Sequence, residues 1–322
     1  MQAIVFARYG PPELLELRDV PVPEMLPGQV LVRVRASSVN PVDWHTMRGQ
    51  PVLVRAGMGV SKPRRQRLGT DVAGVVEEVG EGVTAFRPGD EVFGTKGGAF
   101  VEFAATPVTQ LTLKPSSISF DEAAAAPVAA VTALQGLRAG DVRAGQRVLV
   151  NGAAGGVGTF AVQLAAHFGA DVTAVSSARN LEQSRSLGAG RVVDYAAEDV
   201  TDGPDRYDLI LDIAGSRPWR RLRRVLAPSG AVVIVGGQVK HRAIDPIPHL
   251  IGTRIAAIGS GHRVSSLSAD VTPTALAEVA ELLAAGSIRS IIDRRFPLAE
   301  VSEAIRYVEA GHARTKVVIT VP

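Results

Sequence analysis

The 322-residue sequence contains no cysteine. Disulfides, thiolate metal sites and cysteine nucleophiles are therefore excluded. It also lacks a surplus of either charge: 35 Lys and Arg face 32 Asp and Glu, leaving +3. A protein built to hold a polyanion concentrates a larger basic excess, so nucleic acid is not an expected partner. Long apolar runs are missing. The longest weakly polar stretch, AAAAPVAAVTAL at 123–134, contains Pro127 and falls short of the roughly 18 residues needed to cross a bilayer. The opening MQAIVFARYGPPELLEL carries Arg8 and Glu13 and shows no basic start followed by an apolar core, so no signal peptide is expected. The expectation is a cytosolic protein without membrane contact. With 46% hydrophobic and 21% charged residues, the chain has a globular rather than a disordered composition.

At about 150 residues per domain, the length favours two domains. The first third is punctuated as β-structure. In QVLVRVRASSVN, Val30, Val32, Val34 and Ala36 alternate with Leu31, Arg33 and Arg35, the period of a half-buried strand. GTDVAGVVEEVGEGVTAFRPGDEVFG, at 69–94, is cut by Gly80, Gly82 and the Pro88-Gly89-Asp90 turn. These segments suggest an antiparallel, barrel-like domain. Alanine-rich helices follow from about Pro115. From Gly145 onward strands and helices alternate, with RPWRRLRRVLAPSG read as a helix, which implies parallel strands with crossover helices. After 272 come two more helices and two strands. No internal repeat is found at a period of 20–50 residues.

The strongest chemical signal is VLVNGAAGGVGTFAVQLAAHFGADVTAVSS, in which Gly152, Gly155 and Gly158 lie between a predicted strand and helix. A pyrophosphate must approach backbone N–H groups closely, and a helix N-terminus favours its charge. Strand, loop, helix and next strand follow in order within about 30 residues, the context that separates a dinucleotide site from a ligand-free glycine turn. An NAD-selective site places Asp or Glu at the end of the second strand. Here that end reads Ser176, Ser177, Ala178, Arg179, Asn180. A guanidinium without a carboxylate suits the 2′-phosphate of NADPH, although a solvated first-turn arginine would read the same.

The chain resembles the medium-chain dehydrogenase/reductase superfamily, in its zinc-independent, quinone oxidoreductase-like branch. The resemblance rests on YGPPELLEL, ASSVNPVDW at 36–44, the 69–94 segment, PVAAVTALQGL at 127–137, NGAAGGVGTFAVQLA and GHARTKVVIT. It implies an α/β protein: a GroES-like β-rich barrel domain (1–120 and 259–322) and a Rossmann domain with a doubly wound parallel sheet (121–258). Zinc-dependent relatives hold a catalytic zinc with Cys, a His-Glu pair and a further Cys or Asp. Here Asn40 takes the first ligand position, Gly69-Thr70-Asp71 replaces Gly-His-Glu, and the cysteine-rich lobe is missing. The six histidines show no metal spacing, and His45, near the expected site, reads as a polar loop residue.

By resemblance, Asn40 and Thr132 face the nicotinamide. Gly155, Gly156 and Val157 contact the pyrophosphate within a cofactor-binding loop that includes Gly152, Ala154 and Gly158, and Ser177, Arg179, Asn180 and Tyr195 surround the adenosine phosphate. Gly236 and Gly237 let the nicotinamide ribose approach, and Lys316 is a cofactor-side lysine. Tyr195 equally suits an exposed strand end, and Lys316 a solvated strand start. Asn180 stands where some relatives carry lysine.

Without a metal, an alkoxide lacks strong stabilisation. Hydride transfer to a quinone or an α,β-unsaturated carbonyl spreads charge into an oxyanion that orientation and a few donors can support. Asn40 is the leading donor candidate, with Tyr9 and Asp43 behind it. Val52, Leu53, Val54 and Met58 are expected to line an apolar pocket, and the Lys62–Arg67 cluster either attracts an acidic substrate or is a solvated face. The expected function is NADPH-dependent reduction of quinones or enones. The alternatives are an enoyl reductase of a biosynthetic pathway, or an NADPH-binding sensor with little turnover. The resemblance also implies a homodimer, through an edge strand around Thr253–Ser260.

Overall fold

The computed structural model describes residues 1–236, 247–311 and 313–322; for Val54 and residues 247–251 only the backbone is described. The chain divides into two compact units, Met1–Val131 with Val271–Pro322, and Thr132–Asp270. The change of sequence pattern puts the junctions at 120/121 and 258/259. The first junction by contacts lies inside an unbroken helix, which carries no break in pattern.

In the first unit β1 (Gln2–Val5) pairs antiparallel with β2 (Glu16–Asp19). β3 (Gln29–Val39) leads to α1 (Pro41–Arg48) and α2 (Arg55–Met58). Then come β4 (Asp71–Val79), β5 (Glu91–Thr95), β6 (Phe103–Pro107), β7 (Leu111–Leu113), α3 (Phe120–Ala124) and α4 (Pro127–Ala139). The second unit holds β8 (Arg147–Asn151), α5 (Gly156–His167), β9 (Asp171–Ser176), α6 (Leu181–Ser186) and β10 (Arg191–Asp194). It continues with β11 (Tyr207–Asp212), α7 (Trp219–Leu222), β12 (Leu226–Ile234), α8 (Ile247–Ala256) and β13 (Arg263–Ser266). The chain then returns to the first unit with α9 (Pro273–Ala284), β14 (Ile292–Pro297), α10 (Val301–Glu309) and β15 (Lys316–Thr320).

The first unit's main sheet runs β14-β15-β3-β4-β5-β7, with β6 also paired to β3. β3 is its organising strand. Val32, Val34 and Ala36 point inward, while Arg33 is exposed and Arg35 half-buried. The alternation stops at Ala36, because residues 36–39 are covered on both faces. The expected antiparallel arrangement holds except for β14 and β15, which run parallel. The α10 crossover between them turns the chain back in the same direction. The core gathers Phe6, Val32, Val34, Met47, Phe100, Ile305 and Ile319. Asp43 terminates β3 and starts α1 at once: its Oδ2 accepts the Asn40 N–H at 2.7 Å, Pro41 occupies the first turn, and Gly49 (φ 61°) closes the helix.

The second unit is a six-stranded parallel sheet in the order β10-β9-β8-β11-β12-β13. Numbered within the sheet this is 3-2-1-4-5-6, the doubly wound arrangement whose ligand crevice opens where the strand order reverses, between β8 and β11. Two sequence expectations change here. The segment read as a helix through Gly230 is helical only as far as Val225; Leu226–Gly230 already belong to β12, where Leu226 pairs with Tyr207. The edge strand is Arg263–Ser266, not Thr253–Ser260: residues to Ala256 lie in α8, and Ala257–Ser260 form its closing turn.

Candidate functional site

The glycine loop divides its work among three positions. Gly152 sits at φ +94°, a conformation that side chains resist, and turns the chain out of β8. A Cβ on Gly158 would collide with the Gly152 carbonyl oxygen, so this glycine lets α5 pack against the loop. Gly155 is different. A Cβ there meets only the Gly152 oxygen at 3.7 Å, and the space beside it is open. Gly155 is also the N-cap of α5, and no side chain caps the helix, which leaves backbone donors for an anion.

The loop forms one wall of a cleft of about 660 Å³ lined by Gly152, Ala154, Gly155, Ser177, Asn180 and Tyr195, together with Ser176, Ile213 and Arg217. Six residues expected at the cofactor therefore line one cleft at the carboxyl ends of the strands. Gly156, Val157 and Gly158 stand behind it in α5. Asn180 is buried and donates to Ser177 Oγ at 3.0 Å, while its buried Oδ1 meets no partner among the described residues. Tyr195 lines the cleft while 59% exposed, so it is both a strand-end aromatic and a cleft wall. Arg179 lies outside the lining and is exposed, and among the described residues it has no carboxylate partner. Gly236 is explained by packing: a Cβ would press on the Ile213 carbonyl at 2.5 Å. Gly237 lies outside the described residues.

Sequence reading missed Arg217 and Asp199. Arg217 Nε donates to Asp199 Oδ1 at 3.0 Å, and its Nη1 donates to Asn151 Oδ1 at 2.9 Å. The Asp199 carboxyl stays below its ordinary range: backbone and side-chain hydrogen bonds from Thr201, then Arg217, outweigh its partial burial. Only the approach of β8, β11 and the 199–202 turn brings these residues together, and no local spacing signals it.

The first unit carries a second polar cluster. Lys316 Nζ donates to Asn40 Oδ1 at 2.6 Å and lies 3.2 Å from Asp71 Oδ2. Asp71 is fully buried; its Oδ2 also accepts from Ser38 Oγ at 2.5 Å and Asn40 Nδ2 at 2.8 Å, and its Oδ1 from the Val128 N–H at 3.0 Å. Lys316 is thus no solvated strand start, and its ammonium points into this cluster. The Asn40 carboxamide, expected to be the leading substrate donor, is buried and engaged at both ends by Lys316 and Asp71. Tyr9 donates to the Gly59 carbonyl at 2.8 Å under the Arg55 guanidinium and pins the 55–59 segment. Thr132 is buried in α4.

Asp43 and Thr70 are the members that reach open space. Both line a cleft of about 610 Å³, and Thr70 Oγ1 donates to Asp43 Oδ1 at 2.9 Å. Burial pushes the Asp43 carboxyl up to about 7, against the lowering effect of the Asn40 N–H and Thr70 hydroxyl. Met58 lines this cleft as expected, whereas Val52 and Leu53 are exposed and stand apart from it. The Val54 side chain lies outside the described residues.

The Asn40, Thr70 and Asp71 positions do not suit zinc. Zinc asks for three or four N, S or O ligands converging on one point. Here the point between Asn40 Oδ1 and Asp71 Oδ2 is taken by an ammonium, which a dication would have to displace. Among the described residues no group of three His, Asp or Glu is placed to hold a metal ion. His45 is partly buried and stacked on Trp44 at 3.6 Å, and burial holds its imidazole below the ordinary range.

Residues 26–116 match the family model of the alcohol dehydrogenase GroES-like domain, and residues 187–319 that of a zinc-binding dehydrogenase. The chain is 34% identical to the 2-methylene-furan-3-one reductase of Solanum lycopersicum, across 99% of this chain and 79% of that protein. It is 33% identical to the chloroplastic NADPH-dependent alkenal/one oxidoreductase of Arabidopsis thaliana, with the same coverage. The structure of the quinone oxidoreductase from Coxiella burnetii superposes with a TM-score of 0.89 at 30% identity, over 100% of this chain and 99% of that one.

Proposed function

The chain belongs to the medium-chain dehydrogenase/reductase superfamily, in its quinone oxidoreductase-like branch, and on that premise we propose that it reduces quinones or α,β-unsaturated carbonyl compounds with NADPH and without zinc. The observation that carries this reading is the open wall at Gly155, at the uncapped start of α5, beside a strand end that has arginine and no acid. Backbone donors of the loop and α5 hold the pyrophosphate. Ser177, Asn180 and Tyr195 frame the adenosine end, and Arg179 answers the 2′-phosphate. The bound reduced nicotinamide supplies a hydride to the electron-poor carbon of the acceptor.

This chain's own residues then handle the proton. Asp43 stays largely protonated below about pH 7 because ionising it in its buried site is costly. With the proton on Oδ1, the hydrogen bond to Thr70 reverses direction, and the Thr70 hydroxyl is free to donate into the cleft. The acceptor's developing oxyanion receives that proton, and Asp43 replaces it on Thr70. Asn40 and Lys316 act as positioning residues: they hold Asp71 and the end of β3, from which Asp43 is presented. The ammonium at the family's metal position supports metal-free chemistry. No helix of the described residues is long and apolar enough to cross a membrane. A small-molecule acceptor, a cytosolic location and a homodimer joined through the free edge of β13 belong to the same reading.

The test is NADPH oxidation against benzoquinone, enone and aldehyde panels, with added zinc and with a chelator. Turnover of quinones or enones that both additions leave unchanged is expected. A requirement for zinc, or a crystal soaked with NADPH whose Gly152–Gly158 cleft stays empty, would overturn it.

A further inference from the structure

The cleft that holds Asp43 and Thr70 is also walled by Arg65, Arg67 and Lys96. Arg64 lines it too, and a neighbouring cleft of about 570 Å³ shares all four cations. Among the described residues none of these four side chains has a carboxylate within ion-pair distance. Other cations of the fold, such as Arg87, Arg147 and Arg306, are paired with acids even at the surface. The fold also holds the cluster in place. The Lys96 N–H donates to the Thr70 carbonyl at 2.7 Å, which sets Lys96 directly opposite the proposed proton donor. Arg67 is held by a bridge to Val5 and by the Phe6 N–H on the Gln66 carbonyl at 3.0 Å. The Gly97-Gly98 turn leaves the room these arginines occupy: a Cβ on Gly97 would come within 2.9 Å of Arg65 Nη1, and one on Gly98 within 3.0 Å of Arg67 Cβ. Lys96 is half-buried, and burial followed by Arg65 and Arg67 holds its ammonium below the ordinary range. Like charges gathered around one cleft whose lining holds a single carboxyl, Asp43, repel one another, and a bound anion relieves that repulsion.

Building on the reading above, we infer that the acceptor is anionic: an α,β-unsaturated carbonyl compound whose carboxylate or phosphate is received by Arg65, Arg67 and Lys96 while its reacting end lies beside Thr70. The arginines offer forked donors matched to either oxyanion, and Lys96 adds a point charge. The cations lie away from the reacting bond, so they act on acceptor binding and enter KM more than kcat.

The experiment compares three acceptors of one shape: benzylideneacetone, its para-carboxylate, and the phosphate monoester of its para-hydroxy derivative. NADPH consumption by the full chain is followed at low and high salt. The inference expects kcat/KM for an anionic acceptor to exceed that of the neutral one by about tenfold, through KM, and the gap to shrink as salt screens the cleft. Arg67→Gln and Lys96→Gln each reduce the ratio several-fold, whereas Arg87→Gln, an exposed turn arginine, leaves it unchanged. The better of the two anions identifies the group. If all three acceptors are reduced equally, or the ratio survives both substitutions, the inference fails while the proposed reductase activity stands. If none is reduced, this enone shape is not an acceptor, and the reductase reading is decided by the quinone panel. Calorimetry with the saturated para-carboxylate then decides the cleft: binding weakened in Lys96→Gln keeps the anion site, and no binding removes it.

Discussion

The Lys316 ammonium lies 3.2 Å from Asp71 Oδ2, with 3% and 0% of their side chains exposed. A buried ion pair stabilises little by itself, because desolvation offsets its attraction, but removing one partner strands the other. Asp71 keeps neutral donors from Ser38, Asn40 and Val128, yet loses its only counter-charge among the described residues if Lys316 goes.

Lys316→Met is therefore expected to lower stability by about 3–5 kcal/mol in urea unfolding. The double variant Lys316→Met/Asp71→Asn, which removes the stranded charge as well, should recover part of that loss. If the single variant is as stable as the parent, the pair is not buried as described.

The titration of Asp43 has a defined sign. Its carboxyl is raised from the ordinary 3.8 to about 7 in the folded protein. Between those values the folded state holds a proton that the unfolded state has released, so unfolding free energy falls as pH rises. The contribution is complete below about pH 4 and lost by about pH 7. Asp43→Asn mimics the protonated form and should remove that slope. The stability difference, variant minus parent, is expected to grow across this window by up to about 4 kcal/mol. A difference that stays flat from acid to neutral pH contradicts the raised value. In the same variant, kcat should fall and its pH dependence near 7 disappear.

Gly155 and Gly158 separate folding from binding. Gly155→Ala meets open space at an extended N-cap, so stability should change by less than about 1 kcal/mol. NADPH affinity should fall at least about tenfold, as the new methyl stands where the pyrophosphate approaches. Gly158→Ala collides with the Gly152 carbonyl and should destabilise the second unit by about 2 kcal/mol. Thermal unfolding and NADPH titration on both variants check the division.

Arg179→Gln should weaken NADPH by roughly tenfold or more and leave NADH nearly unaffected, because only the former carries the 2′-phosphate. Equal losses for both coenzymes would return Arg179 to the role of a solvated helix residue.

Several of these features were legible in the chain itself. Period-two alternation marked β3, and the glycine spacing marked the turn from β8 into α5, since both depend on residues close in sequence. The segment after Trp219 misled for the same reason. Its arginines are helical as their spacing indicates, but pairing between Leu226 and Tyr207 draws the remainder, Leu226–Gly230, into the sheet, and that pairing is a tertiary event. The Arg65, Arg67 and Lys96 wall was visible only in part as a basic run, because Lys96 arrives from the far side of the β5 turn.

The sequence alone determined the two-unit α/β plan, the lack of thiol chemistry and the position of the glycine loop between β8 and α5. Each follows from composition or from short-range patterns of backbone conformation. Tertiary structure decided what the polar residues do. Asn40, Asp71 and Lys316 are 31 and 245 residues apart in turn, and only β3, β4 and β15, lying side by side, bring an ammonium between Asn40 Oδ1 and Asp71 Oδ2. The same packing buries Asp43 and so keeps its proton, because a carboxylate's acidity is set by the water and charges around it, which no stretch of sequence contains.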